Sequence, residues 1–441
     1  MGREEDRWYP LIDHPVQRAL VEDKVRFKVV PAGRRSGKTE RAKRFMVREC
    51  FTTPGNYFIA APTRDQVRRV YWEDMKLLSF ASRLHRKPYE ADLTIEYPNG
   101  SRLILIGLDR PERLEGSFWR GGIIDEIADI KPTAWAENIS PALDTVDPNN
   151  PGYRPWCWLI GVPDGLNHYY DIAEYAKNAN DPDWKFYTWK SSEILPEDVI
   201  ESAKRRMNNK QFRQEYEASF ETATGKIYDD YCPENYTGEI IQPHEQLMWM
   251  HDFNYNPMSS AIGVRRANND LYILDEIVLR SAVARQSAQE FVEKFKHHKN
   301  KNVLLYGDPM GRTGEKHGHI SDFTEIETVL QQAGWSVTRR LKKSAPAIRD
   351  RQNAVRAKIC NASGIRSLFV NPTCAPVSHK GLATVQSKEG STFLEVESEE
   401  QHITTAIGYC CDYEWPAVFS PNAAPVKPLA TIHYFGRKVN G

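Results

Sequence analysis

The stretch Pro31–Glu40, PAGRRSGKTE, sets Lys38 and Thr39 behind Ser36 and Gly37, with Arg34 and Arg35 just ahead. That order suits a phosphate cradle: backbone amides around Ser36 and Gly37 face the anion, Lys38 meets the β/γ charge and Thr39 reaches magnesium. Ala32 stands where such loops usually begin with Gly, and a small residue there keeps the turn feasible. Further along, GGIIDE ends an apolar run on Asp125 and Glu126. The pair is suited to complete the magnesium shell (Asp125) and to polarise an attacking water (Glu126). Arg34 is the better candidate for stabilising charge on a transferred phosphoryl group, while contact with solvent explains Arg35 as well. Gln17, in HPVQ, is placed to bond an adenine edge through both ends of its amide. The chemistry these residues share is hydrolysis of ATP with Mg2+.

A second constellation is acidic. Asp252 ends the apolar run LMWMHDF and Asp308 ends VLLYGDP. Two carboxylates at converging strand ends suit a hard cation, Mg2+ or Mn2+, and two such ions roughly 4 Å apart can drive phosphodiester hydrolysis. A third ligand is expected from EVESEEQHITTAIGYCCDYEW, where Glu399, Glu400, His402 and Asp412 compete and His402, opening a buried helix, is preferred. Asp275 and Glu276 read as ordinary strand residues, Glu276 being a reserve ligand. The densest basic stretch runs through Arg339, Arg340, Lys342, Lys343, Arg349, Arg351, Arg356 and Lys358; it suits a phosphate backbone or a solvated helix face.

The elements that must hold these residues are α/β. From Arg26, RFKVV, KTERAKRFMVREC, NYFIAAP and RDQVRRVYWEDMKLL alternate strand and helix patterns, the rhythm of a mostly parallel sheet. LTIEYPNGSRLILIG places two strand patterns around Pro98-Asn99-Gly100, a hairpin signal. The polar stretch ETATGKIYDDYCPENYTGEIIQ reads as a linker. Past it, three successive strand patterns precede the first helix of a second α/β half. The expected division is residues 1–225, a linker 226–241, residues 242–420 and a tail 421–441.

With 441 residues the chain is long enough for two cores, and 40% hydrophobic with 27% charged residues is the balance of a globular protein. Lys+Arg and Asp+Glu both total 59, so a polyanion must be held by local patches. Seven cysteines without a CxxC pair argue against a zinc ribbon or a disulfide framework. The N-terminal MGREEDRWYP has no apolar signal core and apolar runs such as WCWLIGV are short, which predicts a cytoplasmic protein with no membrane contact.

Taken in order, HPVQ, AGRRSGKT, YFIAAPTRDQ, RLEGSFWRGGIIDE, IGVPDGLNHYYD, FRQEYEASF, MHDFNYNP, YGDPMG and HITTAIGY resemble the large terminase subunit of tailed double-stranded DNA phages. The resemblance covers nearly the whole chain. It implies an N-terminal P-loop (ASCE-type) ATPase domain that drives double-stranded DNA into a procapsid, and a C-terminal RNase H-like nuclease domain that cuts concatemeric DNA. It further implies a portal, a small terminase subunit and a homo-oligomeric ring as partners, in the host cytoplasm. By position, Arg34 looks like the P-loop arginine, Lys38 and Thr39 like the phosphate and magnesium residues, Asp125 and Glu126 like the Walker B pair. Gln17 looks like the adenine-reading glutamine, and Asp252 and Asp308 like the first two nuclease acids. His402 stands where many members carry an acid. A helicase-like translocase without nuclease activity, or an assembly protein that merely holds nucleotide, would share the first constellation without the second.

Overall fold

The computed structural model describes residues 4, 6–147, 150–221, 225–309, 321–388 and 393–417. The expected tail lies outside the described residues. The chain divides into two compact units, residues 1–205 with 209–223 and residues 206–208 with 224–441.

The first unit is built on seven strands: β1 (Phe27–Pro31), β2 (Asn56–Ala61), β3 (Thr94–Glu96), β4 (Arg102–Gly107), β5 (Trp119–Asp125), β6 (Trp156–Gly161) and β7 (Trp184–Phe186), in the order β3-β4-β2-β5-β6-β1-β7. All neighbours are parallel except β3 and β4, which form the hairpin expected around Asn99. A parallel sheet is covered on both faces, so its strands are apolar throughout rather than alternating. β1 shows this: Val29 and Val30 are both fully buried, yet they enter different clusters, Val29 packing with Ile124 and Leu159, Val30 with Ile123 and Ile160. Residues 38–52 follow as a helix whose inward stripe of Ala42, Phe45, Met46 and Cys50 has the spacing of a helix lying on a sheet. We label that helix α2, α1 being Pro15–Glu22 before β1.

The insertion of β6 between β1 and β5 sets the first site. Ile160 pairs with Val30 on one side and with Asp125 on the other, so Asp125 stands level with the end of β1 where the cradle begins.

The second unit has six strands: β8 (Leu247–Asp252), β9 (Met258–Arg265), β10 (Leu271–Leu279), β11 (Asn302–Tyr306), β12 (Ser336–Arg339) and β13 (Leu368–Val370), in the order β12-β11-β8-β9-β10-β13. The three successive strands expected form an antiparallel meander, β8-β9-β10, and β11 and β12 add in parallel beyond β8. This is the order of an RNase H-like sheet, with β13 added at the far edge. Residues 399–414 form a helix that packs on β8 and β9, and Ile403, Ala406, Ile407, Cys410 and Cys411 are buried in the core on that face.

From residue 225 on, the polar stretch read as a linker is part of this unit, with Ile227, Tyr228 and Tyr231 in its core. Three residues of the basic stretch, Arg351, Arg356 and Lys358, depart from both expected roles. Arg351 and Lys358 are buried, Lys358 Nζ donates to the Asn269 carbonyl at 2.8 Å, and Arg356 donates to the Ile227 carbonyl at 2.6 Å. Long aliphatic stems let these cations cover apolar surface while their heads find carbonyls. All seven cysteines are free thiols.

Candidate functional sites

The cradle connects β1 to α2. Gly37 is the residue before α2 and has φ 85°, in the left-handed region that glycine enters without steric cost. Gly33 is required for a different reason: a Cβ there would stand 2.3 Å from Ser191 Oγ and 2.6 Å from the Ser191 backbone nitrogen. The loop is braced closely from three sides. Gly33 N–H donates to the Trp189 carbonyl at 3.0 Å, Arg34 N–H donates to the Glu215 carbonyl at 2.6 Å, and Ser191 Oγ donates to the Arg34 carbonyl at 2.7 Å.

Lys38 is buried in the first turn of α2, and the next residue, Thr39, donates from Oγ1 to Asp125 Oδ2 at 3.2 Å. A hydroxyl from the cradle helix and a carboxylate from β5 thus meet at one point, which is the oxygen donor set a magnesium ion takes. Asp125 is also held by Tyr71, whose hydroxyl donates to Oδ2 at 2.6 Å, and by the Glu126 backbone N–H, which donates to Oδ1 at 3.0 Å. Glu126 leaves the strand with φ 52°. Burial, then the neighbouring Asp125 charge, push its carboxyl up to about 7, with Lys38 opposing. A carboxyl so poised can accept a proton near neutral pH.

Arg34 is half exposed and its Nε lies 2.8 Å from Glu215 Oε2, an acid 8% exposed. Arg35 is exposed, with φ 57°. Gln17 is buried against the cradle. Its Nε2 donates to the Ser36 carbonyl at 2.8 Å, and its Oε1 accepts from Arg41 Nε at 2.8 Å. Trp189 Nε1 donates to the same Ser36 carbonyl at 3.0 Å. In this structure, then, Gln17 ties the loop at Ser36 to α2 at Arg41 through the two ends of its amide.

In the second unit Met250 pairs with Tyr306 across β8 and β11. Asp252 and Asp308 each lie two residues further along their chains, so both acids emerge at the same edge of the sheet. The helix 399–414 reaches each of them. His402 Nδ1 lies 2.9 Å from Asp252 Oδ2, and Tyr409 donates from its hydroxyl to Asp308 Oδ2 at 3.0 Å. Asn254 Nδ2 lies 2.8 Å from His402 Nδ1. The Asp252 partnership raises the His402 imidazole above its ordinary value against the effect of burial.

Among the described residues no group of three or more His, Cys, Asp or Glu side chains is arranged to hold a metal ion. The rival third ligands are committed elsewhere: Glu399 pairs with Arg280, Glu400 with Lys380 and Asp412 with Lys342. Glu276 accepts from Val377 N–H, Ser378 N–H and Ser378 Oγ, capping the helix Pro376–Thr384. The sequence reading missed Tyr71, Glu215 and Tyr409. Tyr409 had a signal, since it lies seven residues after His402 and two turns along the same helix face.

These two units define a class: an α/β unit with a P-loop and a strand-terminal acid pair, joined to an RNase H-like unit carrying strand-end acids. The comparisons agree. Residues 30–230 match the family described as Terminase large subunit, T4likevirus-type, N-terminal. The chain is 27% identical over 263 residues to the terminase large subunit of Thermus phage G20c, covering 51% of this chain and 53% of that protein. It is 26% identical over 218 residues to that of Escherichia phage T5, covering 48% of each. The chain thus spans about half the length of these relatives in the matched regions. The solved large terminase of the thermophilic bacteriophage D6E superposes with a TM-score of 0.60 at 16% identity, over 92% of this chain and 99% of that one. At that identity the match speaks for the fold, and it includes both units. The resemblance to phage large terminases expected from the ordered motifs is borne out by these matches.

No helix among the described residues is long and apolar enough to cross a membrane.

Proposed function

We propose that this chain is the motor and nuclease of a phage DNA-packaging machine. It would hydrolyse ATP to drive double-stranded DNA into a procapsid and cut concatemeric DNA with a metal-dependent endonuclease. The observation that carries the reading is the 3.2 Å contact between Thr39 and Asp125, with Glu126 one residue beyond and raised to about 7.

In the first unit, the cradle amides and Lys38 bind the β- and γ-phosphates. Thr39 and Asp125 would hold magnesium, which would supply neutralisation of the phosphate charge. Glu126 accepts the proton of the attacking water. Arg34 leaves Glu215 to meet the charge on the transferred phosphoryl group, and the exposed Arg35 is the lesser candidate. Gln17 retains one amide hydrogen and one lone pair beyond its two observed bonds, which is the capacity needed for an adenine edge.

In the second unit, Asp252 and Asp308 would hold Mg2+ or Mn2+, which would activate water and stabilise the negative charge developing on the leaving oxygen. The two acids fit that role because each has one oxygen fixed by the helix 399–414, through His402 and Tyr409. His402 serves this site as a partner of Asp252 and a candidate ligand.

A ring of copies, a portal and a small subunit complete the machine in the host cytoplasm. The test is ATP turnover and plasmid cleavage by one preparation. Turnover is expected to fall in Glu126→Ala and cleavage in Asp252→Ala, each without loss of the other; unchanged turnover in Glu126→Ala contradicts the motor reading.

A further inference from the structure

Residues 68–72, Arg68–Trp72, form a π-helical turn between two short α-helical pieces, Arg64–Val67 and Glu73–Leu78. The wider turn changes which residues face inward. Two consecutive aromatics, Tyr71 and Trp72, are buried at 0% and 1% exposure. They are employed differently. Trp72 Nε1 donates to Glu90 at the surface, at 2.6 Å, whereas the Tyr71 hydroxyl runs inward to Asp125 Oδ2. That is the oxygen Thr39 also meets.

The ring of Tyr71 is itself held by the cradle helix. Lys43 lies one turn beyond Thr39 on α2, and its ammonium stands 5.1 Å from the centre of the Tyr71 ring. Lys43 is in turn fixed by Asp74 at 2.7 Å, three residues past Tyr71. One face of α2 therefore reaches Asp125 by two routes, directly from Thr39 and from Lys43 through Tyr71. Burial, then the Asp125 charge, hold the phenol well above its ordinary value, so it remains a donor at any physiological pH.

We propose that Tyr71 is a positioning residue for ATP hydrolysis, fixing the Asp125 carboxylate in the orientation that meets magnesium and thereby setting how much magnesium the site requires. This rests on reading the first unit as an ATP hydrolase. The physical reason is that Asp125 is buried, 4% exposed, and a carboxylate deprived of its phenol donor turns to whatever donor remains. Groups that orient metal-binding carboxylates typically cost about 10–100-fold in metal affinity or activity when removed.

The experiment uses the full chain. The Mg2+ concentration for half-maximal binding of a fluorescent ADP is measured by titration, beside the Mg2+ dependence of ATP turnover and the melting temperature, in the unaltered chain, Tyr71→Phe and Trp72→Phe. Tyr71→Phe is expected to raise the Mg2+ midpoint roughly tenfold in both assays. Trp72→Phe, a packing change in the same turn, should leave it unmoved. A Tyr71→Phe midpoint within about twofold of the unaltered chain overturns the proposal, whatever the melting temperature does. If Tyr71→Phe fails to fold, Lys43→Gln gives the same reading through the other end of the clamp: a higher midpoint supports the role and an unchanged one overturns it. Absence of ATP turnover in the unaltered chain would defeat the hydrolase reading instead, and the ADP titration would still decide the part played by Tyr71.

Discussion

The hydroxyl of Thr39 and Oδ2 of Asp125 meet at 3.2 Å although Thr39 lies in the first turn of the helix that follows β1 and Asp125 ends β5, two strands separated in the sheet by β6. The register makes the meeting possible. Val30, Ile160 and Asp125 lie in one row across β1, β6 and β5, so the cradle begins where the acid pair ends. An ATP hydrolase needs that coincidence, and each residue around it carries a measurable consequence.

Thr39→Ala removes one of the two side-chain oxygens proposed to hold magnesium while keeping the cradle amides. Nucleotide binding in excess EDTA should be unchanged, and the stimulation of binding by Mg2+ should weaken about tenfold or more. Isothermal titration with and without Mg2+ checks this.

Arg34 is paired with Glu215 at 2.8 Å. In Arg34→Ala, nucleotide should still bind while ATP turnover falls by about 10³-fold, the lower end of what a phosphoryl-stabilising arginine contributes. Unaltered turnover would leave Arg34 as a surface ion pair of the cradle.

Gly33→Ala places a methyl group into Ser191, where both the hydroxyl and the backbone nitrogen are closer than contact distance. Overpacking of this kind costs about 1–3 kcal/mol. Thermal unfolding of the variant should begin several degrees lower, with nucleotide affinity reduced because the displaced loop is the cradle itself.

Asp252→Asn and Asp308→Asn should each abolish Mn2+-dependent plasmid cleavage and leave ATP turnover intact, since the two sites belong to separate units. Tyr409→Phe should weaken cleavage less, because it removes only the donor to Asp308 Oδ2. Cleavage that survives both Asp substitutions would contradict the assignment of the nuclease site, and a lack of cleavage by the unaltered chain would favour a helicase-like translocase.

Much of this was legible in the residues, for physical reasons that differ from site to site. The P-loop and the IIDE strand announce themselves because a buried parallel strand must be apolar throughout and can carry polar groups only at its end. The β8-β9-β10 meander was legible from consecutive strand patterns with no helix between them. The basic stretch was not, because Arg351 and Lys358 use long apolar stems in a core position that charge alone does not reveal. The linker reading failed to weigh Ile227, Tyr228 and Tyr231, whose apolar bulk belongs to the second core. Tyr71 was beyond reach: its inward aim depends on a π-turn, which shifts the facing of a helix without leaving a pattern in residue types.

The most direct measurement is the pH dependence of ATP turnover in the unaltered chain against Glu126→Gln. Burial and Asp125 raise the Glu126 carboxyl from an ordinary 4.5 to about 7, so the folded protein favours its protonated form. The stabilisation this gives is fully present below 4.5 and is lost as pH rises through about 7, so Glu126→Gln should gain in melting temperature relative to the unaltered chain over that window. Activity should run the opposite way. In the unaltered chain kcat/KM should rise with pH through about 7 as the base ionises, and in Glu126→Gln kcat should drop by about 10²–10⁴-fold with nucleotide binding retained. Equal turnover in the two proteins, with the same pH profile, would contradict the assignment of Asp125 and Glu126 to ATP hydrolysis.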